Sequence, residues 1–221
     1  MYSPTPDEFL KLAAKGNLIP VTRRILADIE TPLSAYRKIR GQGESFLFES
    51  VEGGEHLGRY SFVGFNPRAT IKQTGNRVEV VENGKVIETA TVGKDVKDGL
   101  AIVERVMGKF RAVPVPGLPR FTGGAIGFIG YEFIHDVEPV VPRPPQDELQ
   151  TPVMYFLIAD QLLVFDRVAQ TITILVNAIL DDAENPAEAY ENAEKNISGN
   201  IVFGIKAGVK HGSSFWFRSR W

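Results

Sequence analysis

At 221 residues and 24.4 kDa, with 43% hydrophobic and 24% charged residues, the chain has ordinary globular composition and enough apolar content to bury a core. A formal net charge of −2 and a pI near 6.0 give no electrostatic footprint for nucleic acid or an anionic membrane. The absence of cysteine excludes disulfides, thiolate catalysis and cysteine-ligated metals, no apolar run reaches the length of a membrane span, and the opening Met1-Tyr2-Ser3-Pro4 lacks the basic and apolar regions of a leader, so the expectation is a soluble, cytoplasmic protein.

The first element is a helix. Thr5-Pro6-Asp7-Glu8 reads as a capping box with proline at the first helical position, Phe9, Leu12 and Ala13 supply a narrow apolar face, and Gly16 marks the stop. Ile19 to Ile25 reads as a strand. Thr31-Pro32 opens a second helix with Leu33, Tyr36 and Ile39 on one side and Gly41 at its end. From Ser45 to Ala90 the period changes to two, with strands expected over Phe46 to Val51, Tyr60 to Phe65, Ala69 to Gln73 and Arg77 to Glu82. Gly75-Asn76 and Asn83-Gly84 are hairpin signals, because both pairs tolerate positive φ. Several such strands imply an antiparallel sheet with one buried face.

A longer helix is expected over Asp95 to Arg111, from the spacing of Val96, Leu100, Val103, Met107 and Phe110. The proline-rich stretch Val113 to Pro119 reads as a linker or edge loop, and a second one, Pro139 to Pro145, precedes Pro152. Val153 to Phe165 and Thr171 to Ala178 are long β-rich runs, joined by a turn near Arg167 to Gln170. Asn185-Pro186-Ala187-Glu188 starts a last helix. Ser198 to Trp221 has Lys206, Lys210, Arg218 and Arg220 but no acid, no periodic apolar face and three consecutive aromatics, and is expected to be a loosely packed tail.

Chemistry-bearing patterns are sparse. His56, His135 and His211 are scattered, in no arrangement that holds a metal, and Asp147-Glu148 and Asp181-Asp182 read as solvated charged loops. Gly124, Gly127 and Gly130 fall three apart, which is not a dinucleotide fingerprint, and no Gly-Lys-Ser/Thr follows. Those glycines read instead as turns and close backbone approaches. Glu49-Ser50, ending an aromatic strand before Gly53-Gly54, has two readings: an ordinary polar strand end, or a carboxylate and hydroxyl suited to an amino acid with a hydrophobic side chain.

The run Phe46-Leu47-Phe48-Glu49-Ser50-Val51-Glu52-Gly53-Gly54, continuing into Gly58-Arg59-Tyr60-Ser61-Phe62, resembles a signature of the large subunit of anthranilate synthase, component I, with Phe48 in place of the usual leucine. Phe121-Thr122-Gly123-Gly124 through Tyr131-Glu132 resembles the family's second landmark, and Pro20-Val21 ahead of Asp28 to Tyr36 its opening strand and helix. The resemblance covers residues 4–197 and defines the expected domain, with 198–221 as a tail that does not resemble the family.

The resemblance implies an α+β fold with antiparallel sheets packed orthogonally and flanking helices, incomplete in this chain. It implies an enzyme that converts chorismate and ammonia to anthranilate and pyruvate. Ammonia comes from a glutamine amidotransferase partner, and Mg²⁺ holds the substrate. L-Tryptophan binding as feedback effector is carried over onto Ser50 and Glu49. Family members are much longer, and the catalytic and Mg²⁺-binding residues lie in a second half that no segment here resembles. No catalytic residue is therefore placed on this chain, and an apolar sheet face left open by the missing half is expected. Two alternatives stand beside this reading: a related chorismate enzyme such as aminodeoxychorismate synthase or a salicylate-forming homologue, and a non-catalytic binding module with the same fold.

Overall fold

The computed structural model describes residues 1–41, 43–49, 58–138, 140–142, 150–180 and 185–206. Among them the chain is α+β, with two antiparallel sheets and five α-helices. The strands are β1 (Tyr2–Ser3), β2 (Leu18–Leu26), β3 (Ser45–Phe48), β4 (Tyr60–Phe65), β5 (Ala69–Thr74), β6 (Arg77–Glu82), β7 (Lys85–Thr91), β8 (Gly124–Ile129), β9 (Met154–Ala159), β10 (Gln161–Asp166) and β11 (Thr171–Ile179). The helices are α1 (Pro6–Ala13), α2 (Pro32–Ile39), α3 (Leu100–Met107), α4 (Ile134–Val137) and α5 (Pro186–Lys206). The larger sheet runs β1-β2-β11-β10-β4-β3 and the smaller β7-β6-β5-β9-β8.

Local chemistry places the helices. In α1 the Thr5 hydroxyl accepts from the Glu8 N–H at 3.4 Å, while the Glu8 carboxylate accepts from the Thr5 N–H at 2.9 Å. Glu8 is held below the usual carboxylate range mainly by that backbone bond. The same reciprocal pair, Thr31 with Ser34, starts α2. Phe9 is fully buried and meets the Tyr190 ring of α5 edge-on at 5.1 Å, which fastens the two ends of the described chain together. The Asn83-Gly84 turn has both φ values positive, at 50° and 72°, as a two-residue hairpin requires.

Side chains alternate across the larger sheet, so its two faces differ in composition. Leu163 and Phe165 of β10 join Ile172, Ile174 and Val176 of β11 under α1, α2 and α5. Leu162, Val164 and Leu175 point the other way, toward Phe46, Tyr60, Phe62 and Phe121. The smaller sheet has its own core, with Ile102, Val103 and Val106 of α3 on Ile71, Val80 and Ile158.

Several elements differ from the sequence expectation. The run Val153 to Phe165 is not one strand: it divides at Asp160, and its halves belong to different sheets. The helix expected over Asp95 to Arg111 contracts to α3, because Asp95 is used in a turn, accepting from the Thr91 N–H at 2.9 Å, and Val92 bridges Val96. In α2 the buried residue is Ala35, whereas Leu33 is 51% exposed. The strand expected to reach Val51 ends, in its described part, at Phe48. Helix α5 continues without a break past Ile197 to Lys206, and Ser198 lies 2.5 Å from the Tyr2 hydroxyl; residues 207–221 lie outside the described residues.

Candidate functional site

Strand β3 lies at the edge of the larger sheet and pairs with β4, Phe46 opposite Gly64 and Phe48 opposite Phe62. Gly64 is needed there: a Cβ on it would stand 1.9 Å from the Phe46 ring, so the ring lies directly on glycine backbone. Phe46 in turn stacks tilted against Phe48 at 5.1 Å. Across the pair, Phe62 meets Phe121 edge-on at 5.2 Å and 86°, and Tyr60 lies 6.4 Å from Phe62.

Two clefts share Glu49, the residue that follows β3, one on each face of the larger sheet. The first, about 540 Å³, is aromatic, with Phe48, Tyr60, Phe62 and Phe121 in its walls and Glu49 at its edge. The second, about 480 Å³, is polar, walled by Asp28, Glu30, Ser61, Asp166 and Gln170, again with Glu49. Glu49 is exposed and belongs to both. Both volumes lie in the range of small-molecule sites.

The polar cleft is built on fixed charges. Arg59 donates to both oxygens of Asp166, from Nε at 3.0 Å and from Nη2 at 2.6 Å, and its guanidinium lies 5.0 Å from the Tyr60 ring centroid. Arg59 therefore links the rim of the aromatic cleft to the wall of the polar one. Asp166 also accepts from the Val168 and Ala169 N–H groups at 3.0 and 3.1 Å. The Arg59 bond, more than any other influence, holds the Asp166 carboxyl below the usual carboxylate range. Glu30 is ion-paired with Lys38 and accepts from the Ser34 hydroxyl at 2.7 Å.

Of the two residues the motif singles out, Glu49 is exposed and lines both clefts, and Ser50 lies outside the described residues. Phe62, Phe121 and the Arg59–Asp166 pair were not singled out as site residues from sequence. Alternating aromatics at Tyr60 and Phe62 were a signal for the first, but the meeting of Phe121 with Phe62 depends on topology. The glycine run forms an edge strand, not a phosphate loop: a Cβ on Gly127 would stand 1.8 Å from the Tyr155 carbonyl oxygen. His135 lies 3.1 Å from the Val141 carbonyl, while His56 and His211 lie outside the described residues. Among the described residues no group of three or more His, Asp or Glu side chains could hold a metal ion, and no helix is long and apolar enough to cross a membrane.

No protein-family model matches the chain. Curated relatives do. Anthranilate synthase component 1 of Acetivibrio thermocellus is 40% identical over 198 residues, 89% of this chain and 38% of the relative. The Pseudomonas putida protein of that name is 39% identical over 87% of this chain and 38% of its own length. That of Neisseria meningitidis serogroup B is 34% identical over 93% and 42%. Among solved structures, anthranilate synthase component I from Streptococcus pneumoniae TIGR4 superposes with a TM-score of 0.50 at 27% identity, covering 83% of this chain and 37% of that one. The chain thus spans about two-fifths of the length of the curated relatives it matches. In sequence and in fold, the chain is similar to a part of anthranilate synthase component 1.

Proposed function

We propose that this chain is the N-terminal, tryptophan-binding regulatory part of an anthranilate synthase component 1. The observation that carries the reading is the position of Glu49, an exposed carboxylate beside the aromatic cleft formed by Phe48, Tyr60, Phe62 and Phe121. An amino acid with a bicyclic aromatic side chain needs an aromatic wall with a charged group beside it, and Glu49 supplies that charge next to the rings. The indole lies against Phe48, Phe62 and Phe121, where edge-to-face contacts add about 0.5–1.5 kcal/mol beyond burial. The ammonium meets the Glu49 carboxylate, a charge-assisted bond, and the Ser50 hydroxyl takes the ligand's polar end.

The parent enzyme, on this reading, joins chorismate to ammonia and releases anthranilate and pyruvate, with ammonia from a glutamine amidotransferase, component 2. Mg²⁺ would hold chorismate there, but the described residues of this chain offer no cluster to bind it, and no chemical step is assigned to them. This chain by itself is expected to make no anthranilate from chorismate with ammonia or glutamine. Its domain is taken as residues 4–197.

Isothermal titration of L-tryptophan into the chain tests the reading. Heat of binding is expected for wild type, weakened by about tenfold or more in Glu49→Gln, given about 1.5–3 kcal/mol for a hydrogen bond to a charged group. Equal affinity of the two would remove Glu49 from the site, and L-phenylalanine binding as tightly as tryptophan would remove the indole from the argument.

A further inference from the structure

Where the chain crosses from the smaller sheet to the larger, it carries a polar pair that neither cleft uses. Asp160 is the single residue between β9 and β10. Asn177 of β11 lies opposite it: the pairing of Gln161 with Val176 continues by one step, and the Asn177 N–H donates to the Asp160 carbonyl at 2.8 Å. Directly opposed residues of an antiparallel pair share one face, with Cβ atoms about 4.5–5.5 Å apart. That face is the one carrying Leu162 and Leu175, so the pair sits at the end of an apolar surface.

The orientation of the Asn177 amide is fixed by chemistry. Its Nδ2 donates to the Thr122 carbonyl at 2.7 Å, and a carbonyl can only accept, so Oδ1 must turn away. Gly123 closes over the pair with φ +135°; a Cβ there would stand 2.6 Å from Asn177 Nδ2 and 2.6 Å from the Ala159 carbonyl oxygen. Asn177 is 5% exposed, and Oδ1 of Asn177 and Oδ1 of Asp160 are both buried without a hydrogen-bond partner among the described residues. Two residues opposed on one face thus each carry a buried acceptor with no donor among the described residues, which is costly unless a proton is supplied.

We propose that Asp160 and Asn177 form a proton-operated clasp at the crossing between the sheets: protonated Asp160 donates to Asn177 Oδ1 and ties the β9–β10 corner to β11 beneath Thr122 and Gly123. Loss of that proton leaves two facing acceptors and loosens the corner. One proton satisfies both orphaned oxygens. Burial supports this by pushing the Asp160 carboxyl up to about 6, opposed by the charge of Arg68 and by Asp160's own backbone N–H. Arg68 is the charged side chain acting on Asp160; Ala159, Gln161, Asn177, Thr122 and Gly123 around it are uncharged. Phe121 precedes Thr122 and walls the aromatic cleft, so the corner and the cleft are joined through one short segment. The clasp does not depend on what that cleft binds.

Carboxyl ¹³C NMR of the full chain, labelled at aspartate, tests the clasp, with Asp160→Asn identifying the resonance by its disappearance. In wild type one carboxyl should titrate near pH 6, with the Gly123 amide shifting at the same midpoint. In Asn177→Ala the protonated form loses its acceptor, so the midpoint should fall by about one unit, tenfold in proton affinity. A wild-type midpoint in the ordinary carboxylate range, or one unmoved by Asn177→Ala, would overturn the clasp. Stability supplies a second readout. A carboxyl whose pKa is higher folded than unfolded binds its proton more tightly when folded, so the chain gains stability as pH falls through about 6, fully below the unfolded value of about 3.9. Asp160→Asn carries a permanent donor and should exceed wild type in thermal midpoint at pH 8, with the advantage shrinking toward pH 4.5. An advantage independent of pH would contradict the proposal; if that variant does not fold, Asp160→Ser identifies the resonance and the Asn177→Ala titration decides.

Discussion

The two faces of the larger sheet are made from alternate residues of the same strands, yet they serve different ends. One carries Leu163, Ile172 and Ile174, branched aliphatics sealed under three helices. The other carries Phe46, Phe62 and, through Phe121, an aromatic wall that leaves a cleft of about 540 Å³ and half of Phe48 exposed. Branched aliphatics interlock to high density and specify a rigid fold, whereas flat rings leave slots that accept another flat ring. A single period-two pattern thus encodes a sealed aliphatic face and an open aromatic one, separated by one residue of register.

Mutations should divide along that line. Leu163→Ala, on the sealed face, is expected to lose about 2–5 kcal/mol in urea unfolding, since the helices above it collapse only partly into the cavity. Gly64→Ala acts on the open face through crowding: it must push the Phe46 ring aside, at about 1–3 kcal/mol, and should disturb ligand affinity as well. Phe121→Ala should cost less stability than Leu163→Ala but far more ligand affinity. If its stability loss matches that of Leu163→Ala, the open face is core like the other and the contrast fails. Thr5→Ala, remote from both, removes both hydroxyl bonds to Glu8 for about 1 kcal/mol and should leave binding unchanged.

The smallest effect is a pH dependence beside the polar cleft. The folded-state pKa of Asp166 is depressed, so its stabilising share is present above the unfolded value of about 3.9 and is lost as pH falls through the lower folded value. Arg59→Met should flatten that part of the acid unfolding curve, and an unchanged curve would show the pair to be energetically silent.

Much of the fold was legible because local signals agreed. Both proline-led caps, the Asn83-Gly84 hairpin and the alternation over residues 60–82 each appear where their chemistry demands. The break at Asp160 was not, because nothing in the run Val153 to Phe165 is a glycine or proline; a half-buried aspartate with one buried oxygen marks the crossing. Likewise Asp95 could start a helix or close a turn, and the Val92–Val96 bridge decides for the turn. For the candidate site, the motif points to Glu49 and the proposal builds on it, while the meeting of Phe62 with Phe121, 59 positions apart in sequence, follows only from strand order.

The central claim, that the end of β3 is a tryptophan effector site, is tested most directly in a chain extended to the length of its relatives. Tryptophan inhibition of anthranilate formation should be compared between wild type and Ser50→Phe, each scaled to its own uninhibited rate. A bulky ring at Ser50 removes the hydroxyl bond and fills space beside Glu49, together about 1.5–4 kcal/mol, so half-inhibition should need more than tenfold higher tryptophan. Superimposable inhibition curves for the two proteins would contradict the account.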